Sequence, residues 1–535
     1  MFKKIICIVL ALAVAFSLCT ACSSENDPIG FFTPEEEMET ANTVSVAINR
    51  MKTLNPAFST DEDYFHISKL IYSGLFTFDS KLIPQPDLAV SYIYDEEKRI
   101  MEIKLREDVL WHDGEVFDAE DVEFTIESYM HFAKSGQGTY KDYVANIKSV
   151  KVSNDDKYTV IITFGADVAV GIENLTFPIL PKHIYKGAKI LAAETEDFIP
   201  IGTGKYKLEE YEALKHLTLI PNESYYGEIA ANTLVFKVFT DKRDGINMMD
   251  IEDVNILACD DYERDTLISH KNMSITNFPS GSSEVIGFNF NSEFTRDKYL
   301  RKAIAHLIDS EEILQDIYYG NGFITDSIFY PGYYGIVDGG IIYAYDYAEA
   351  SRMLTEGGYA DADSNGYLEN VYGNEVVLSF LVDSSDEFRT ATAENIKASV
   401  EKIGIIVNID YVPTEEYEQK LLNGEYDMFI GTCTINERYD LRPIIHSAYG
   451  NIVGYSNLTV DEMLTQMIGN VSSRAKAELA ARIKGILIDE IPYYPLFCKT
   501  YGFINTNSLR GDIASIYNNM YCYSGNWHTE KAAEK

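Results

Sequence analysis

The chain has 535 residues, too many for one compact core and enough for two or three. Its 46% hydrophobic content, with 38 Tyr and 27 Phe, excludes a disordered acidic protein. Eighty-three Asp and Glu against 45 Lys and Arg leave a net charge of -38, which argues against nucleic acid as a partner.

The chain opens as an export signal. Lys3 and Lys4 precede an apolar run, Ile5 to Leu18, shorter than the roughly 20 residues of a membrane-spanning helix. Leu18-Cys19-Thr20-Ala21-Cys22 resembles a bacterial lipobox, with Cys19 where an apolar residue is usual. That resemblance implies a lipoprotein signal peptide over 1–21 and lipidation of Cys22. Residues 22–42 are acidic, poor in core residues and carry Pro28 and Pro34, the composition of a tether. Cys259, Cys433, Cys498 and Cys522 follow at spacings that set no disulfide pattern.

Thr43–Ile48 alternates in hydrophobicity and predicts the first strand. Asn55-Pro56 opens a loop. Asp61–Tyr72 predicts a helix with Ile67, Leu70 and Ile71 inward, ended by Gly74. An extended piece with Trp111 and His112 reaches a tight turn at Asp113-Gly114. A helix then opens at Asp118, whose carboxylate suits an N-cap, with Val122, Ile126, Tyr129 and Met130 on one face. Further on, Val376–Val382 predicts a strand. Glu387–Ile403 predicts a helix with Ala391, Ile396 and Val400 on its apolar side, stopped by Gly404. Ile405–Tyr411 is a strand, Thr414 caps a short helix ending near Asn423-Gly424, and Asp427–Gly431 is a strand. This β-α-β-α-β order predicts helices covering a sheet.

Three stretches look like chemistry. His112-Asp113-Gly114-Glu115 offers three metal-binding side chains, yet Asp-Gly is explained by the turn, so a structural role is expected. Gly202-Thr203-Gly204-Lys205 has Ile199 where a phosphate loop needs its first Gly, and Tyr206 where it needs Ser or Thr. A backbone-rich turn beside a ligand is the functional reading. Asp361, Asp363 and Asn365, before Gly366, fit the first half of a calcium loop, but position 12 is Tyr372; Glu369 is a partial substitute, and a solvated turn is the expectation. No H-E-x-x-H, G-x-S-x-G or spaced Cys/His cluster occurs, and no cofactor is expected.

Leu54-Asn55-Pro56, Ile71-Tyr72-Ser73-Gly74-Leu75, Pro86-Asp87-Leu88-Ala89, Trp111-His112-Asp113-Gly114 and Ala119-Glu120-Asp121-Val122 occur in an order that resembles the family 5 extracellular solute-binding proteins of ABC importers. Gly202–Tyr206, with Lys205 for Pro, and Pro221–Gly227, with Tyr226 for Trp, continue it. So do Phe288-Asn289, Asp297, Arg301–Ala305, Ile308-Asp309, Ala348–Tyr359 and Pro495–Phe497. The resemblance covers nearly the whole mature chain.

It implies an α/β, two-lobe periplasmic-binding-protein-like fold with a hinge and an interlobe ligand cleft, lobe I being enlarged by a subdomain. Lobe I would hold 41–280 and 503–535, and lobe II 281–502. It further implies a monomeric, extracytoplasmic receptor, lipid-anchored to the cell membrane, that takes a solute, by default an oligopeptide, to an ABC permease without catalysis. Nickel chelates, haem, sugars, small cationic metabolites and a signalling role without transport are the alternatives; a surface glycoside hydrolase using two carboxylates is a remote one.

Ligand contacts implied by the resemblance fall at Asn55, Phe58, Thr203, Gly204, Asn289, Thr432, Cys433, Asn436, Glu437, Asp440 and Arg442. Peptide-binding relatives carry a Trp and an Asp after the strand that ends at Gly431, the Asp meeting the peptide's amino terminus. Here Thr432 and about Ile435 stand at those places. Glu437 or Asp440 are the replacement carboxylates. Arg442 either faces a ligand carboxylate or pairs with Asp440.

Overall fold

The computed structural model describes residues 42–165, 171–186, 198–268, 271–436, 438–469 and 472–530. The expected signal 1–21, Cys22, all but the last residue of the tether, and Glu437 lie outside them.

Strand β1 is Thr43–Asn49, and helix α1 is Glu62–Ile71, where Tyr64, Ile67, Leu70 and Ile71 are buried. A short hairpin follows, β2 Phe76–Phe78 and β3 Pro84–Pro86. Strands β4 Ala89–Asp95, β5 Ile100–Leu105, β6 Ile147–Val152 and β7 Thr159–Phe164 form a four-stranded antiparallel sheet in the order β4-β5-β7-β6. Helix α2, Ala119–Lys134, packs against β6 and β7. Its start is the one predicted. Asp118 Oδ1 accepts the Glu120 amide at 2.9 Å, and Asp121 Oδ2 accepts the Asp118 amide at 3.2 Å, closing a capping box.

The large sheet takes β8 Tyr206–Glu212, β9 His216–Pro221, β10 Thr233–Phe239, β11 Ile256–Cys259 and the long β12 Met273–Phe288. From later in the chain it takes β13 Gly322–Phe323, β14 Val377–Asp383, β15 Ile406–Val412, β16 Met428–Thr434 and the long β17 Tyr493–Thr506. Its order is β15-β14-β16-β12-β17-β11-β1-β10-β9-β8, with β13 on β17. Helices α3 Lys298–Ala305, α4 Ser310–Asp316, α5 Tyr347–Glu356, α6 Glu387–Glu401, α7 Thr414–Asn423, α8 Leu458–Ile468 and α9 Ser473–Glu490 belong to the second half of the chain.

Two details depart from the sequence reading. Ala391 is exposed, and the buried face of α6 runs through Thr392, Ala393, Ile396 and Val400. Thr414 does not cap α7: Pro413 holds the cap position, and the Thr414 hydroxyl donates to Asp383 Oδ2 at 2.9 Å. Thr414 is already the first helical residue, one position too late to cap, and its proton goes to the carboxylate at the end of β14.

Two of the apolar cores separate the molecule into halves, while a third, with Phe78 and Leu82 beside residues of the second half, spans them. One draws on residues from Val44 to Ala258 and is joined by Phe278, Phe503, Leu509, Met520, Tyr521 and Trp527. A second is built from residues between Ile286 and Phe497. The chain passes between them along β12 and β17, which are antiparallel partners on either side of a break. Met273–Pro279 pairs with Thr500–Thr506 on one side and Ser283–Gly287 with Tyr493–Cys498 on the other. The register slips between Pro279 and Ser283 and again between Glu284 and Val285. A β-bulge bends a strand and increases its twist. The two lobes therefore meet at a bent, two-stranded joint. Gly281 sits at the bend because a Cβ there would fall 2.2 Å from the Tyr517 ring.

Candidate functional site between the lobes

A cavity of about 490 Å³ opens at this joint. Ser280–Ser282 and Lys499–Tyr501 form its floor, Ser59–Glu62, Phe65 and His66 one wall, and Thr432 and Thr434 the other. The walls follow from simple periodicities. Residues Asp61, Phe65 and His66 lie within one turn or so of each other at the start of α1. Thr432 and Thr434 are two apart on β16, so they share a face, while Cys433 between them turns into a core. The volume is within the range of small-ligand sites.

Charged groups at the cavity are unequal. Asp61, Glu62 and Asp260 bring carboxylates, and Lys499 a cation whose ammonium stands 5.4 Å from the Tyr262 ring centre. Asp61 Oδ2 accepts the Lys52 amide at 2.9 Å, and Glu62 accepts the Tyr501 hydroxyl. His66 is a neutral wall. Burial, helped by Lys69 and Lys242, pushes its imidazole down to about 3, and Nδ1 accepts the Met520 amide at 3.2 Å.

Behind Thr432 lies a closed polar triangle. Arg389 Nε donates to Glu284 Oε1 at 2.6 Å, Arg389 Nη2 to Thr432 Oγ1 at 2.6 Å, and Thr432 Oγ1 to Glu284 Oε2 at 2.9 Å. The Glu284 side chain is 2% exposed, so its charge depends on Arg389.

The expected contact residues scatter. Thr432 lines the cavity, and Gly204 lines a second one of about 220 Å³ that shares Phe65 with it. Thr203 is fully buried, its hydroxyl lacking a hydrogen-bond partner among the described residues. Asn55 is buried and accepts the Ala57 amide at 3.0 Å; Phe58 packs 4.7 Å from the Phe132 ring centre. Asn289 donates to the Gly424 and Tyr426 carbonyls at 3.0 and 2.8 Å. Asn436 Oδ1 holds the following turn through the Arg438 and Asp440 amides. Arg442 grips both Asp440 oxygens, at 2.9 and 2.8 Å. Burial opposes ionisation of Asp440, but these bonds outweigh it and hold the carboxyl below its usual pKa. Of the two roles open to Arg442, the structure shows the ion pair.

The two other motifs resolve differently. His112 clamps the 202–204 turn: its amide donates to Gly202 O at 2.9 Å, Nδ1 accepts the Gly202 amide at 3.2 Å, and Nε2 meets Gly204 O at 3.2 Å. Asp113 meets His183 at 2.8 Å. The turn's glycine is obligatory, since a Cβ on residue 202 would lie 1.8 Å from Ile71 O. At the calcium-like loop, Asp361, Asp363 and Glu369 bring carboxylate oxygens within 4.8 Å of one another. Asn365 instead donates to Glu375 at 2.8 Å.

Asp61, Glu62, Phe65, His66, Ser280–Ser282, Asp260 and Lys499 were not singled out from sequence. The stretch Pro279-Ser280-Gly281-Ser282, which interrupts the strand pattern, is the signal that could have found them.

Residues 84–441 match the sequence model of bacterial extracellular solute-binding proteins, family 5 middle. The oligopeptide-binding protein AppA of Bacillus subtilis (strain 168) is 25% identical over 474 residues, 85% of this chain and 86% of the relative. The probable D,D-dipeptide-binding periplasmic protein DdpA of Escherichia coli (strain K12) is 21% identical over 484 residues, covering 86% and 89%. Among solved structures, HbpA2 from Haemophilus parasuis superposes with a TM-score of 0.78 at 18% identity, covering 92% of this chain and 100% of that one. NikZ from Campylobacter jejuni in complex with Ni(L-His) gives 0.64 at 22%, covering 91% and 99%.

Proposed function

We propose that this chain, which belongs to the bacterial extracellular solute-binding proteins of family 5, captures a peptide outside the cytoplasm and delivers it to an ABC import permease. The observation that carries the reading is the 490 Å³ cavity at the bent joint of β12 and β17, walled by both lobes. A site so placed is created by closure, and ligand stabilises the closed arrangement by contacts to both walls. No bond is broken; the output is a conformation.

A peptide is supported by an open strand edge. β16 pairs with β12 along its whole length, but with β14 only at Met428 and Phe429. Among the described residues no strand covers its outer edge from Ile430 to Thr434, beside the cavity wall. An extended peptide can add to such an edge through main-chain bonds, leaving its side chains to pockets. The two cores likewise support lobe I as 41–280 with 503–535 and lobe II as 281–502; the receptor is taken to work as a monomer.

The protein is anchored by lipid at Cys22, after removal of 1–21. Cys22→Ala therefore moves the protein from the membrane fraction to the soluble extracytoplasmic fraction; unchanged membrane retention contradicts the anchor. Native mass spectrometry of the purified protein tests the ligand. A peptide mass carried at one equivalent per chain is expected. A metal chelate, haem or sugar mass in its place, or turnover of a bound peptide, overturns the proposal.

A further inference from the structure

The lobes also touch away from the cavity, around the Glu173 carboxylate. Glu173 lies on the short 3-10 helix Ile172–Leu175 of lobe I. Two groups from lobe II converge on its Oε1: the Lys476 ammonium of α9, and the Tyr334 hydroxyl at 3.1 Å. The Lys476 side chain is 6% exposed and that of Glu173 15%, so the ion pair is sealed. The next residue continues the contact, Asn174 Oδ1 accepting Arg438 Nη1 at 3.1 Å. Arg438 also donates to the Asp142 carbonyl at 3.1 Å and stands 5.1 Å from the Tyr143 ring centre.

Backbone geometry is committed to the same contact. A Cβ on Gly171 would fall 2.9 Å from the Ile468 carbonyl of α8, so the two lobes approach there at main-chain distance. Tyr334 has φ 49°, a left-handed conformation uncommon for a bulky residue, held by its amide donating to Lys81 O at 2.9 Å. Phe78 and Leu82 of lobe I pack among Tyr330, Tyr333 and Tyr334.

We propose that Glu173 is the bolt of an ionic latch that keeps the shut form accessible without ligand, so that residues outside the cavity help set the receptor's apparent affinity. The physical reason is asymmetric. With both charges present, the shut form keeps a sealed, hydrogen-bonded pair, while the open form returns both to water, so the two are closely balanced. Glu173 Oε2 is buried with no hydrogen-bond partner among the described residues, which keeps the latch from being too strong to release. With one charge removed, shutting buries the other unpaired, and the balance tips to open. Because only shut molecules offer both walls of the cavity, apparent affinity falls with the shut fraction.

The inference goes beyond peptide capture and is tested without any solute, so its failure leaves that reading untouched. Spin labels are placed on cysteines at the exposed Glu209 of β8 and Glu418 of α7, one in each lobe, with Cys522→Ser, in ligand-free full-length protein. A mixture of a short and a longer distance, both well populated, is expected. Glu173→Gln and Lys476→Met each shift the shut-to-open ratio about 10-fold or more toward a longer distance. The charge swap Glu173→Lys with Lys476→Glu restores the short one. Arg438→Ala, at the rim of the contact, gives a smaller shift in the same direction and guards against a folding defect in the buried variants. A distance distribution unchanged in Glu173→Gln and Lys476→Met, or a swap no better than either single change, overturns the latch.

Discussion

Arg389→Met lowers the stability of the protein by about 3–5 kcal/mol, the range for removing one partner of a buried ion pair. The loss comes from what is left behind. Glu284 is 1% exposed on β12, and among the described residues its two oxygens are satisfied only by Arg389 and by the Thr432 hydroxyl. Without the guanidinium the carboxylate is a buried charge beside the joint, with one neutral donor. The partner is rigid as well: Arg389 lies in the first turn of α6, whose cap is Asp386 accepting the Arg389 amide at 3.1 Å. Replacing both members, Glu284→Leu with Arg389→Met, recovers most of the loss, because apolar groups of similar volume need no compensation. Urea unfolding of the three variants checks this. A single Arg389→Met change with wild-type stability would show that Glu284 is solvated after all.

Acid weakens the protein through His66 before most carboxylates titrate. In the unfolded chain an imidazole has its ordinary pKa of 6.5; in the fold burial holds it down to about 3. The sign follows. A group whose folded pKa is depressed contributes stability that is present above its unfolded pKa and lost as pH falls toward the folded one. The window is therefore from about 6.5 down to about 3, and the loss is on the order of 4 kcal/mol at its lower end. His112 adds to it, its pKa lowered to about 4 by burial, because Nδ1 must stay unprotonated to accept the Gly202 amide. His66→Gln keeps an acceptor for Met520 but cannot charge. The wild type is then the more stable of the two at pH 7, and its advantage shrinks steadily as pH falls through this window. A stability difference between the two that does not vary with pH contradicts the assignment.

The fold was legible where one residue does one local job. Asp118 announces α2 because an N-cap needs only a carboxylate at the right place, and Gly424 ends α7 in the left-handed conformation that glycine permits. Thr414 was misread because its preferred partner, Asp383, is 31 residues away, and no local rule reports a distant acceptor. The site was less legible for the same reason. Ser282, Thr434 and Glu62 are unremarkable on their own strands and helix; only the pairing of β12 with β16 and β17 brings them to one cavity. The stretch around Thr432–Arg442 carries a different lesson. Asp440 looks available in sequence, but it is committed to Arg442, and Thr432 is committed to Arg389 and Glu284. The carboxylates among the residues that line the cavity are Asp61, Glu62 and Asp260.

The most direct test of capture between the lobes is an equilibrium titration of a mixed oligopeptide library into the wild type and into Ser282→Trp. Ser282 lines the cavity floor with its hydroxyl 2.9 Å from that of Thr434, so an indole there fills the space a ligand needs. Wild type is expected to take up one peptide equivalent per chain, and Ser282→Trp to bind about 100-fold more weakly, a loss near 2.7 kcal/mol, with an unchanged urea midpoint. Undiminished peptide binding by a folded Ser282→Trp protein would contradict the account.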